Sequence, residues 1–130
     1  MKTCKRGLGQ ALVEFALLIP LFILIVILFI DLGRATSVYI QLSNAVREGT
    51  RYAIVHQFDE ENITDVVHQY SQSLDHNQMT VASSRDTTTV TIVVTYPYSP
   101  LTPGLSWLLG GAGVIPLSVQ STATISPLYQ

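Results

Sequence analysis

Phe15-Ala16-Leu17-Leu18-Ile19-Pro20-Leu21-Phe22-Ile23-Leu24-Ile25-Val26-Ile27-Leu28-Phe29-Ile30 runs for sixteen positions without a charge or a polar side chain. A helix rises 1.5 Å per residue, so Gln10 to Ile30 reaches roughly 31 Å, close to the ~30 Å hydrocarbon thickness of a bilayer. One membrane crossing is therefore expected over residues 10–30. Lys2, Lys5 and Arg6 precede it without an acid among them, whereas from Asp31 onward four Arg accompany eight acids. Positive residues stay on the cytoplasmic side of a spanning helix, which puts the N-terminus inside and everything after Asp31 outside. Pro20 removes one helical hydrogen bond and is expected to kink or loosen the span.

The remaining composition excludes several kinds of chemistry. Of 130 residues, 48% are hydrophobic and 12% charged, with a formal charge of -2. The long acidic portion argues against a nucleic-acid partner, because phosphate binding needs clustered Lys and Arg. The single cysteine, Cys4, makes no internal disulfide, and His56, His68 and His76 lack metal-ligand spacing and read as surface residues. A nucleophile, base and orienting acid do not occur at workable spacing, so neither an enzyme nor a cofactor is expected.

Beyond Asp31 the helix is expected to continue out of the bilayer to about residue 57. Tyr39, Leu42, Val46, Gly49 and Ala53 recur at spacings of three and four and form one small or apolar stripe. That stripe is expected to pack on the protein's own sheet in preference to a purely intermolecular role. Gly49 is costly in a helix interior and so marks a close approach, and Glu48 and Arg51 at i and i+3 are placed to pair. Asp59-Glu60-Glu61-Asn62 reads as an acidic connection, with Asn62 opening a second helix that runs through about Asp75 and buries Ile63, Val66, Val67, Tyr70 and Leu74.

The period then becomes two. Met79 and Val81 begin a strand, Ser84 to Thr87 makes a turn, and Val90, Ile92, Val94 and Tyr96 alternate with Thr89, Thr91, Val93 and Thr95. Leu117, Val119, Ser121, Ala123 and Ile125 supply a third alternating run. The expected fold is α+β: a long N-terminal transmembrane helix, a second helix and a roughly three-stranded antiparallel sheet, with residues 58–130 as a small exported domain. Leu105, Trp107, Leu108 and Leu109 fall in the glycine-flanked connection between the last two strands. They are either tucked under the sheet or exposed as a contact patch.

Glu14 is the informative residue at the membrane's inner edge, because a carboxylate within a spanning helix is expensive and usually has a partner or a task. Its surroundings read Arg6-Gly7-Leu8-Gly9-Gln10-Ala11-Leu12-Val13-Glu14-Phe15, with Pro20 shortly after. A basic leader ending in glycine, four residues, a glutamate and an aromatic resemble the class III signal of type IV pilins and pseudopilins. The match is closest to the TadE-like family of tight-adherence (Flp) pilus systems. The segment Ala45-Val46-Arg47-Glu48-Gly49-Thr50-Arg51-Tyr52-Ala53 also resembles one characteristic of that family.

The resemblance implies a pilin-like domain, a leader over residues 1–9 and cleavage by a prepilin peptidase at the Gly9-Gln10 bond. Gly9 suits an extended, unhindered backbone in a protease cleft. The new α-amino group at Gln10 would lie about one turn from Glu14, whose carboxylate is expected to meet the N-terminal amine of a neighbouring subunit. The implied partners are the peptidase, other pilin or pseudopilin subunits, the inner-membrane assembly platform and the lipid bilayer. The implied role is that of a minor pilin or pseudopilin in surface attachment. Family major pilins resemble short, almost wholly helical chains, which makes a major pilin the second reading. Two others stay open: an uncleaved membrane-anchored binding or scaffolding domain, and a secretory signal cut near Gly33-Arg34-Ala35, where an Arg interrupts the small residues.

Overall fold

A computed structural model describes residues 6–56, 59–102 and 113–125. The chain forms helix α1 (Arg6–Val55), helix α2 (Glu60–Gln69), a single 3-10 turn at His76–Gln78, and strands β1 (Thr80–Arg85), β2 (Thr89–Tyr98) and β3 (Ile115–Thr124). The strands make one antiparallel sheet in the order β1-β2-β3. This is the expected α+β arrangement, a long apolar helix carrying a second helix and three strands.

α1 is a single element of 50 residues, helical straight through Pro20. Its first half is apolar on every side, and large side chains from Leu12 to Ile30 are exposed. A helix of that kind finds a matching solvent only in lipid or against other helices. Its outer half is amphipathic and becomes part of the core: Leu42, Ala45 and Val46 are fully buried, as are Ile63 and Val67 of α2 and Val90, Ile92 and Val94 of β2. The expected stripe thus packs within the chain, on both α2 and the sheet. Tyr39 is a correction, for it stands half exposed; Val38, four residues before Leu42 on the same face, packs against the core instead.

α2 begins earlier and ends earlier than the sequence suggests. Asp59, not Asn62, is the N-cap, and its carboxylate accepts from the Asn62 N–H at 3.4 Å. Glu60 and Glu61 therefore form the first helical turn, where negative charge complements the helix dipole. The helix stops at Gln69, short of Asp75, which instead caps the 3-10 turn by accepting from the Asn77 N–H at 3.1 Å. The Ser71 hydroxyl donates to the Val67 carbonyl at 2.7 Å, a local bond that competes with continued helix. Tyr70 falls past the last helical residue and is exposed, and Val66 is only half-buried.

The alternating runs become strands in the expected register. Val90, Ile92 and Val94 face the helices, while the outward hydroxyls pair across strands, Thr91 with Thr122 at 3.0 Å and Thr95 with Ser118 at 3.3 Å. The β1–β2 turn lies later than Ser84–Thr87. Ser84 and Arg85 still pair with Thr91 and Val90, and the turn is closed by Asp86, whose N–H donates to the Thr89 carbonyl at 2.8 Å. β2 returns toward the membrane-proximal part of α1, so that Tyr98 and its partner Ile115 end the ladder beside Asp31.

Gly49 marks a close approach of α1 to α2 and the sheet. A Cβ there would lie 2.8 Å from Val67 Cγ2 and 3.4 Å from Ile92 Cδ1. Val67 is β-branched and cannot swing away, so added volume must displace α2. Gly49→Val is expected to destabilise the exported part by about 1–3 kcal/mol, read as a lower thermal unfolding midpoint. Gly33, by contrast, has nothing within 4 Å of such a Cβ, and Gly33→Ala should stabilise by up to about 1 kcal/mol. Equal behaviour of the two variants would contradict the packing at Gly49.

Candidate functional site

The residues singled out in the sequence occupy two places on α1. Gly9, Gln10, Glu14 and Phe15 lie at its exposed leading end. Gly9 is helical, unlike the extended backbone that a protease cleft grips, and a Cβ there meets nothing within 4 Å. Cutting at Gly9-Gln10 thus requires a local unwinding of the helix start. The Gln10 amide donates to Glu14 Oε1 at 3.4 Å, the i,i+4 contact of one helical turn. Among the described residues no cation stands within ion-pairing distance of Glu14. Phe15 stands with Leu18, Ile19 and Phe22 along one apolar flank at i, i+3, i+4 and i+7, with Pro20 between them in the helix.

The second place is the family-like segment, more than thirty residues further along the same rod and so about 50 Å from Glu14. Gly49 is in the core; Arg47 and Arg51 are exposed, and Glu48 and Tyr52 are half-buried. Glu48, Arg51 and Tyr52 line an open groove with Val66 and Gln69 of α2 and Tyr70 just past it. The ring of Tyr52 stacks on His56, with centroids 4.0 Å apart. The expected Glu48–Arg51 pair is not formed: the one ion pair among the described residues joins Asp31 and Arg34. An exposed i,i+3 pair is worth only a few tenths of a kcal/mol, which does not hold Arg51 against solvation. Leu105, Trp107, Leu108 and Leu109 lie outside the described residues.

The histidines depart from a plain surface reading. His56 is exposed, but His68 and His76 are half-buried and stack with centroids 4.4 Å apart and ring planes 3° from parallel. Burial lowers the His68 pKa, the neighbouring His76 lowers it further, and Asp65 opposes both. Among the described residues no three His, Cys, Asp or Glu side chains converge as a metal site.

One buried side chain was not among the candidate site residues. Asp31, the first residue after the apolar run, is 2% exposed. Its Oδ1 accepts the Leu101 N–H at 2.8 Å, and its Oδ2 accepts the Thr102 N–H at 2.6 Å and the Thr102 hydroxyl at 2.5 Å. The Tyr98 hydroxyl donates to the Asp31 backbone carbonyl at 3.0 Å, and Arg34 Nη1 stands 3.7 Å from Oδ1. The Arg34 guanidinium also lies over the Tyr98 ring, 5.8 Å from its centre. Burial alone would raise the Asp31 pKa, but the bonds from Thr102, Leu101 and Tyr98 outweigh it and hold the carboxyl below its ordinary value of 3.8. Tyr98 is pushed up by burial and by the Asp31 charge. This clasp ties the end of β2 to α1 at the membrane boundary. The signal in the sequence was an acid ending an apolar run, but its donors are some seventy residues away.

An α+β protein built on one long helix is what this fold and site define, the helix serving as candidate membrane span and as a wall of the core. The family model described as TadE-like protein matches residues 9–51, from the glycine before Gln10 through the Arg47-Glu48-Gly49-Thr50-Arg51 segment. Over that stretch, about a third of its length, the chain is similar to the TadE-like family. Searches of curated proteins and of solved structures each gave no match.

The clasp makes a specific prediction. Asp31→Ala leaves the Thr102 N–H and hydroxyl buried without an acceptor, so amide exchange at Leu101 and Thr102 should accelerate and the unfolding midpoint should fall. The ionised carboxylate is the form that is held. Its contribution is therefore complete above the ordinary carboxylate pKa and is lost as pH falls through the lower folded value. Asp31→Asn should flatten that acid dependence. Unchanged protection at both amides in Asp31→Ala would remove the clasp.

Proposed function

We propose that the chain is a TadE-like minor pilin or pseudopilin, a structural subunit and not an enzyme. It is inserted once in the cytoplasmic membrane with its N-terminus inside, cut after Gly9 by a prepilin peptidase, and used in assembling a tight-adherence pilus for surface attachment. The observation that carries this reading is the coincidence of the family match over residues 9–51 with one unbroken helix that is apolar and exposed around Glu14 and amphipathic beyond Asp31. The sheet supports the minor role, since the family's major pilins resemble short helical chains.

Glu14 is the residue on which assembly turns. Among the described residues its carboxylate has only the Gln10 amide, and the cost of holding it in a bilayer is offset when the free amine of Gln10 on a neighbouring subunit meets it. Glu14→Ala should leave insertion and processing intact and lower filament yield by about tenfold or more, the change that ~1.4 kcal/mol of lost association energy produces. Filaments at parental yield, counted after shearing from cells, would remove the pairing. Low abundance of the chain in those filaments supports the minor role, and its predominance would make it the major subunit.

A further inference from the structure

We infer that the end of the sheet beside Asp31 is a second membrane-contacting surface, by which the exported domain rests on the outer leaflet of the bilayer that α1 crosses. This rests on the reading of α1 as a membrane anchor.

Three separate segments bring exposed large apolar side chains to this end. Leu32, on the turn of α1 just past the apolar run, is 63% exposed. Leu101 is 61% exposed, although its backbone is fixed by the N–H bond to Asp31. Val114 is 45% exposed and directly precedes Ile115, the partner of Tyr98 in the last pair of the ladder. Leu32 also borders an apolar groove of about 260 Å³ lined by Leu28, Asp31 and Ala35 of α1, Tyr98 of β2, and Ile115 and Leu117 of β3. Leu28 belongs to the candidate span itself, so the groove is continuous with the surface expected to face lipid.

Charge favours the same occupant. From Thr87 to Gln130 the sequence contains no Asp, Glu, Lys, Arg or His. The strand ends can therefore approach hydrocarbon without desolvating a charge. The one carboxylate at this level, Asp31, has its oxygens filled by protein donors and needs no water. Arg34 lies one turn further out with half its side chain exposed, about 4.5 Å along the axis, where it can reach lipid phosphates. The opposite end of the domain carries Arg85 and Asp86 at the β1–β2 turn and Asp59, Glu60 and Glu61 at the start of α2. The sheet's own end is thus free of charged side chains, with Asp31 and Arg34 on the adjoining turn of α1 and Asp75 in the turn before β1 as the charges nearest it.

Single cysteines placed in the full chain carrying Cys4→Ser test this. Leu101→Cys, Val114→Cys, Ile25→Cys and Thr122→Cys are labelled with an environment-sensitive fluorophore and reconstituted into phosphatidylethanolamine/phosphatidylglycerol vesicles, with and without lipids bearing a spin-label quencher. The expected result is blue-shifted emission and strong loss of fluorescence with shallow-quencher lipids at positions 101 and 114, deep quenching at 25, and neither effect at 122. If 101 and 114 behave like 122 while 25 is quenched, the anchor stands and the seat on the leaflet is overturned. If 101 and 114 are shielded from water but indifferent to quencher lipids, a second copy covers them and the inference is again overturned. An unquenched label at 25 overturns the anchor, and the inference falls with it.

Discussion

α1 has to satisfy two solvents, and the change between them falls within one turn at Asp31. From Phe15 to Ile30 the helix is apolar on every side and nearly all its large side chains are exposed. Beyond Asp31 the same rod supplies Leu42, Ala45, Val46 and Ala53 to a core closed by α2 and the sheet. At the boundary a buried carboxylate gathers the Leu101 and Thr102 donors at the end of β2. The sheet is thereby tied to the helix beside the apolar run and packed around Gly49 further out, which makes the α+β part an extension of the helix and not a bead on a tether.

The two carboxylates that bracket the apolar run are treated oppositely. Asp31 is surrounded by donors from its own chain. Glu14 has one amide a turn away, at a length that marks a weak bond. Both are expensive to remove from water, yet only the first is compensated by folding. Both lie within the stretch that matches the TadE-like family model, and the proposed pairing with a neighbouring subunit's amine would compensate the second. Folding thus fixes the half of the molecule beyond Asp31 and leaves Glu14 without an ion-pair partner among the described residues.

The elements legible in the sequence were those governed by local periodicity. The sixteen-residue apolar run gave the long helix, the alternation at Val90, Ile92 and Val94 gave β2, and the misfit of a glycine among helix formers pointed to the approach at Gly49. What escaped depended on competition between neighbours or on distant partners. Asp59 outcompeted Asn62 as cap because the two acids after it suit a helix start. Ser71 turned α2 short of Asp75. Val38 displaced Tyr39 from the stripe because the core needed the residue four before Leu42. Asp31 looked like the end of a membrane run; its donors, in a loop after β2, left no mark in the adjacent sequence.

The central claim is that this helix is released from a short leader so that a new amine at Gln10 stands one turn from Glu14. The most direct measurement is the N-terminal sequence and intact mass of the protein recovered from membranes of cells carrying the cognate prepilin peptidase. The account predicts a chain beginning at Gln10. A chain beginning at Met1, or near Thr36 as a freed soluble domain, would contradict it.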